Sequence, residues 1–460
     1  MRLVAWCAAT ACAVGACSHS DGPLVPQRPP SDTSIPGATD ARARAAAWLT
    51  SVAVPLATVE PGEDLSDLEP LRGMIGTARI VGMGEGTHGT SEFFKLKHRV
   101  FEYLVREMGF THFAIEATWP EANDVNTYVL TGQGNHVQLL SDLYFWTWNT
   151  QEVLDLILWM REWNSTAPAS RRVQFLGFDM QFPGVAMDTV ASFIGRVDPA
   201  TAAFVSDKFA CIAPYTYAGG NRFKRPSSEY AALSEAERQA CRQALLEVFS
   251  LMSSRADAYR GASSEAAYQN ALHSARSVQQ FEEMASQASQ IDGSRVRDRS
   301  MAENVQWLME QAGPAARMML WAHNGHVSNV SGTMGAALRT AYGSDYVNVG
   351  FLFGTGSFNA VEMSGSRYKS LRALSATVVP DGSLESLFFG MDQPLLLFDA
   401  RRIPEAGSAA GILAGPLPMR SIGAAFDPAQ EADYFGPTML PDEYQLLIFV
   451  RTSSPSTLLP

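Results

Sequence analysis

Long apolar runs are scarce. Beyond the first twenty residues no stretch approaches the roughly 20 residues that a membrane-spanning helix needs, so the remainder is expected to fold in water. Positive charge is scarce too, with 35 Lys+Arg against 47 Asp+Glu and a formal net charge of -12. That sign does not suit a protein that binds by neutralising phosphates, and no nucleic-acid partner is expected. Three catalytic signatures are missing: a G-x-S-x-G nucleophile elbow, an H-E-x-x-H zinc helix and a Walker A loop. No internal repeat or heptad array is present. What remains is an ordinary globular composition, 460 residues with 46% hydrophobic and 18% charged, enough for one large domain carrying an insertion, or two domains.

Cysteine is also rare, five in all, and three of the five lie at the N-terminus. Arg2, the apolar Leu3 to Ala13 and the small Val14, Gly15 and Ala16 directly before Cys17 read as a bacterial lipoprotein signal over residues 1–16. On that reading Cys17 carries the lipid, Cys7 and Cys12 leave with the peptide, and Ser18 directs the protein to the outer membrane. The expected location is the cell envelope, on the periplasmic face, with membrane contact only through the lipid. The alternative is an ordinary cleaved signal. Residues 17–44, with Pro23, Pro26, Pro29, Pro30 and Pro36 among small polar residues, read as a tether. Cys211 and Cys241 are then the two left in the folded part, expected as a disulfide in an oxidising compartment, the alternative being two buried thiols.

Seven short apolar runs are expected as strands buried on both faces: 78–83, 112–115, 173–178, 317–322, 346–353, 394–398 and 444–450. Between the first two, Thr90 and Gly109 bracket a helical periodicity built on Phe93, Leu96, Val100, Phe101, Leu104, Val105 and Met108. The strand signal vanishes over 184–313, where capped amphipathic stretches such as Ser234 with Glu237, and 294–311, take over. The expected fold is α/β: a mostly parallel central sheet flanked by helices, with core parts at 45–183 and 314–460 and a large helical insertion at 184–313.

Four of these strands run into ionisable residues, Glu85, Glu116, Asp179 and His323, and His88 and His326 each follow three residues after one of them. In open α/β sheets ligands bind outside the carboxyl ends of the strands, so these side chains are expected to converge there. Asp179, with no histidine near it in sequence, is read as structural, and the lone His273 as a surface or core histidine. Tyr144, Phe145, Trp146 and Trp148 read as core or pocket wall. Gly84, Gly86 and Gly89 spell a dinucleotide fingerprint, but Glu85 and His88 stand where a pyrophosphate would lie, and a carboxylate repels phosphate. Two carboxylates and three imidazoles without a Ser or Cys nucleophile suit attack by an activated water. The same set suits a divalent metal held by Glu85, His88, Glu116, His323 and His326; no other cofactor is expected.

The blocks GEGTHGTSEFFKLKHRVFEYLV (84–105), FAIEATWPEA (113–122), LYFWTWNTQEVLDL (143–156), GFDMQ (177–181), RDRSMAEN (297–304) and WAHNGHV (321–327) resemble, in order, those of the erythromycin esterase family, over roughly residues 45–452. The resemblance implies an α/β core with a helical insertion and hydrolysis of the macrolactone ester of 14-membered macrolides. His88 matches the water-activating base, and Glu85, Glu116, His323 and His326 the other active-site positions. Lys97, where some members carry Arg, is read as substrate-binding with Trp119 and Trp146, and a point charge there replaces a bidentate fork. The partner expected is a small-molecule ester. Two other readings stay open: a metal-dependent peptidase or hydrolase, and a lipoprotein that binds haem or another small ligand.

Overall fold

The computed structural model describes residues 38–62, 64–215 and 227–460, so the signal, Cys17 and most of the tether lie outside the described residues. The core is one large sheet. Its strands are β1 (Val54–Pro55), β2 (Ile80–Met83), β3 (His112–Thr118), β4 (Gln174–Asp179), β5 (Met318–Trp321), β6 (Tyr346–Ser364), β7 (Arg367–Ala376), β8 (Leu395–Asp399), β10 (Ala425–Phe426) and β12 (Leu446–Ser453); β9 (Pro416–Arg420) and β11 (Phe435–Met439) form a separate antiparallel pair. The order β1-β8-β12-β6-β2-β5-β3-β4 contains a parallel block from β12 to β4, with β8 antiparallel at one side. All seven expected strands are present, and the sheet is mostly parallel as expected.

Alternation explains why both faces are buried. Val81 and Met83, Phe113 and Ile115, and Met319 and Trp321 point into one hydrophobic cluster. Ile80, Ala114, Met318 and Leu320 point into another. The Ser91–Met108 helix covers the first face, with Gly109 closing it at φ 73° in the left-handed region where glycine carries no steric cost. The Gln290–Ala312 helix covers the second through Met301, Val305 and Leu308. That helix was expected with the insertion, but its apolar stripe belongs to the sheet.

Between Gly184 and Ala285 the described residues form helices without a strand, and they have a core of their own around Val190, Ile194, Val248 and Phe281. The Glu235–Ser254 helix opens on the full Ser234/Glu237 capping box. Cys211 and Cys241 are joined there, with Cα atoms 5.6 Å apart. Among the described residues no helix is long and apolar enough to cross a membrane. Strands β7, β9 and β11 are absent from the sequence reading because their exposed, mixed residues, as in Arg367–Ala376, carry no buried-strand pattern.

Candidate active site

Strands β2, β5, β3 and β4 lie side by side, so their carboxyl ends deliver Glu85, His323, Glu116 and Asp179 to one edge of the sheet. Gly84 and Gly89 are required by packing: a methyl group on Gly84 would run into Asn324 Oδ1, and one on Gly89 into the Asn359 backbone. These glycines therefore bring backbone and side chain together, and the dinucleotide pattern is coincidental to their use here.

Glu85 is fully buried and fully engaged. Its Oε1 lies 2.6 Å from His88 Nδ1, while Oε2 accepts from Lys97 Nζ at 2.5 Å and from Trp321 Nε1 at 2.7 Å. A carboxylate facing Nδ1 fixes the proton on that nitrogen and leaves the basic lone pair on Nε2. Lys97 also sits 4.4 Å from the centroid of the Trp321 ring, so the ring face supports the ammonium as well. Burial pushes its pKa down to about 8, against the raising pull of Glu85. Lys97 thus touches Glu85 at the interior of the sheet face and does not form part of a substrate-facing wall, contrary to the expectation for this position.

A second network surrounds Glu116. Arg297 Nη2 donates to Glu116 Oε1 at 2.6 Å and to Asp179 Oδ2 at 2.8 Å, and Nε donates to Asp179 Oδ1 at 3.1 Å. Oε2 of Glu116 accepts the backbone N–H of His323 at 2.9 Å. Burial alone would raise the Glu116 pKa, but His326, Arg297 and His88 around it hold the carboxyl well below its usual range. His326 Nδ1 lies 2.8 Å from Asp298 Oδ1, and its Nε2 is 3.0 Å from Arg297 Nη1 and 3.4 Å from Glu116 Oε1. Asp179, read from sequence as structural, is the carboxylate that chelates Arg297. Arg297 and Asp298 were missed as site residues because a charged pair inside a helix carries no local signal. Their one trace was the RDRSMAEN block.

His323 is held as a neutral ring. The Ile422 carbonyl, 3.2 Å from Nε2, can only accept, so Nε2 carries the proton, and Nδ1 accepts from the Gly325 N–H at 3.2 Å. Burial first, then the neighbouring His88 and His326, push its pKa well below the ordinary imidazole range. Its ring centroid is 5.1 Å from that of His88. With both nitrogens committed, His323 positions and shields His88 and does not exchange protons itself.

The aromatic expectations are redistributed. Trp119 is buried against His273 and Trp307, with ring centroids 5.4 and 4.9 Å away, and is a packing residue. His273 stacks on Trp307 at 3.8 Å, and burial pushes its pKa down to about 3, a core histidine as read. Trp146 is partly buried against the small apolar group of Val361, Met363, Ala424 and Ala425. The tryptophan beside the cluster is Trp148, buried, whose ring edge meets His88 at 6.1 Å while its Nε1 donates to the Glu116 backbone carbonyl at 3.0 Å. Among the described residues no three His, Cys, Asp or Glu side chains are grouped as metal ligands. The carboxylates face Lys97, Trp321 and Arg297 instead.

The comparisons with known proteins support the family and the fold. The erythromycin esterase family model matches residues 105–453. The chain is 24% identical over 326 residues to an Escherichia coli protein described as erythromycin esterase type II, covering 66% of this chain and 75% of that one. A crystal structure of a protein described as a succinoglycan biosynthesis protein superposes with a TM-score of 0.76 at 25% identity, covering 91% of this chain and 99% of that one. An erythromycin esterase variant solved in its open conformation shares the fold, with a TM-score of 0.67 at 18% identity over 87% of this chain and 98% of that chain.

Proposed function

The chain belongs to the erythromycin esterase family and is a hydrolase of that family; from this premise we propose that it cleaves an ester by water activated at His88, with the macrolactone of erythromycin-type macrolides as substrate. The observation that carries the reading is the Glu85–His88 contact at 2.6 Å. Glu85 fixes the ring and stabilises the imidazolium that forms when Nε2 takes a proton from water. On this reading Arg297 and His326, both against Glu116, stabilise the negative charge that develops on the carbonyl oxygen. Because Glu85, His88, Glu116, His323, His326 and Arg297 are all buried, these contacts act at low dielectric. In the cell, the signal read at residues 1–16 would place this reaction in the envelope, with the enzyme held by lipid on Cys17.

Incubating the chain with erythromycin, with and without a chelator, and following the mass tests the reading. The expected product carries one added water in both samples. Loss of the product with chelator, restored by added metal, would favour metal-assisted hydrolysis. An intact macrolide would remove the substrate assignment and call for a screen of other esters and a haem titration.

A second expectation concerns pH. Lys97 is charged below a pKa of about 8 and neutral above it, so raising the pH past that value takes the cation from Glu85 and loosens the His88 support. An alkaline limb in kcat/KM near pH 8 follows. Arg at this position stays charged, so Lys97→Arg should carry that limb to higher pH; a limb that does not move would assign it to another group.

A further inference from the structure

Residues 454–459 run on from β12 and cross two turns, the one that carries His88 and the one that carries Trp148. On the first side the Ser456 N–H donates to the Gly89 carbonyl at 2.9 Å, the Ser91 N–H donates to the Ser454 carbonyl at 2.9 Å, and Pro455 lies opposite Thr90 in an antiparallel bridge. On the second side the Gln151 N–H donates to the Thr457 carbonyl at 2.8 Å and the Leu459 N–H to the Asn149 carbonyl at 2.9 Å, with Leu458 opposite Thr150. Two buried side chains lock the crossing. Asn359, on β6, donates from Nδ2 to the Ser456 carbonyl at 2.6 Å and to its Oγ at 3.2 Å. Glu152, in the first turn of the Gln151–Thr166 helix, accepts from Ser91 Oγ at 2.6 Å and from the Thr457 N–H at 3.1 Å. One carboxylate thus joins the helix behind His88, the helix behind Trp148 and the segment between them.

The His88 turn needs this support. Residues 84–90 belong neither to β2 nor to the Ser91–Met108 helix. Their near part is held by the core: the Gly84 N–H donates to the Val349 carbonyl, the Glu85 carbonyl accepts the Asn324 N–H, and the Gly86 carbonyl accepts the Ile422 N–H. Beyond His88, the Gly89 carbonyl accepts the Asn359 N–H at 3.0 Å and the Ser456 N–H. A shift of the main chain at Gly89 moves the His88 ring, and the 2.6 Å contact with Glu85 leaves little tolerance for it. Of the segment's own apolar side chains, Leu458 is exposed and Leu459 only partly buried, so hydrogen bonds rather than packing hold it in place.

We propose that residues 454–459 are a positioning strap, which ties the His88 turn to the Trp148 turn and keeps the His88 ring on Glu85, with Glu152 and Asn359 as its clasps. The strap touches no reacting atom and acts through the main chain on either side of the base. Its effect on turnover rests on the ester-hydrolase reading, whereas the tie itself can be measured without substrate.

The test compares the full chain with a chain ending at Ser453, with Glu152→Ala and with Glu152→Gln. Amide hydrogen exchange, followed by mass spectrometry without substrate, should quicken about tenfold over residues 84–92 and 146–152 in the shortened chain and in Glu152→Ala, while β5 stays protected. Glu152→Gln keeps an acceptor for Ser91 and Thr457 and should exchange as the full chain does. A synthetic peptide of residues 453–460 at about 1 mM, the order of concentration a short tether provides, should restore protection to the shortened chain. On a hydrolysed ester, kcat should fall about tenfold in the shortened chain and in Glu152→Ala and return with the peptide, with KM within about twofold, because placement of the base is lost and substrate binding is not. Should the shortened chain not fold, Glu152→Ala against Glu152→Gln decides by the same two readouts. Exchange unchanged in both turns, exchange that quickens equally in β5, or full turnover despite faster exchange would overturn the strap. If the full chain hydrolyses no ester, the hydrolase reading fails, and exchange in the two turns still decides the strap.

Discussion

Replacing His88 by Asn should lower kcat by about two orders of magnitude or more while leaving the fold intact. Asn is close in size to the ring portion that meets Glu85 and can still donate to its Oε1, so the buried carboxylate keeps a partner where His88 Nδ1 lies at 2.6 Å. What disappears is a group able to take a proton from water near neutral pH. The measurement is kcat on the hydrolysed ester together with thermal unfolding. Unfolding should stay near the wild-type temperature, and wild-type turnover in this variant would refute the base assignment.

Glu116→Gln is expected to act on both activity and stability. The carboxylate joins Arg297, the His323 backbone and the neighbourhood of His326. Gln keeps the shape but removes the charge that balances Arg297, leaving Asp179 as the guanidinium's anionic partner. Breaking a buried pair in this way costs on the order of 3 kcal/mol. Turnover should fall about a hundredfold, because Arg297 and His326 lose their fixed positions. The sign with pH can also be checked. A carboxyl held below its usual range stabilises the fold above its unfolded pKa, and that contribution is lost as pH falls through the folded pKa. The variant should therefore lose less stability on acidification than the wild type. Unchanged turnover would reduce Glu116 to a strand-end carboxylate with no part in the chemistry.

Glu116 was legible in the sequence because it ends a strongly apolar strand, which has no stabilising reason to finish in a carboxylate or an imidazole, and His88 because it follows three residues after another such strand-end acid, Glu85. The same rule located Glu85 and His323. It could not assign their partners. Arg297 lies 118 positions from Asp179 and 181 from Glu116, and nothing in a helical stretch signals which distant acid an arginine will meet. Lys97 was visible as a charge on an amphipathic helix, but its role depended on which face the helix buried. The aromatic positions were the hardest. Trp119, Trp146 and Trp148 are chemically alike along the chain, and only packing sends Trp148 to His88 while Trp119 goes to His273.

The sequence by itself determined the parallel α/β core, the helical stretch between its parts and the edge at which ionisable side chains gather, because two-residue and 3.6-residue periodicities and strand ends are local properties of the chain. Tertiary structure alone decided which acid orients which histidine, that His323 is a neutral support and that Arg297 ties Glu116 to Asp179. Those outcomes depend on burial and on distances between residues far apart in the chain, and both exist only once the helices close on the sheet.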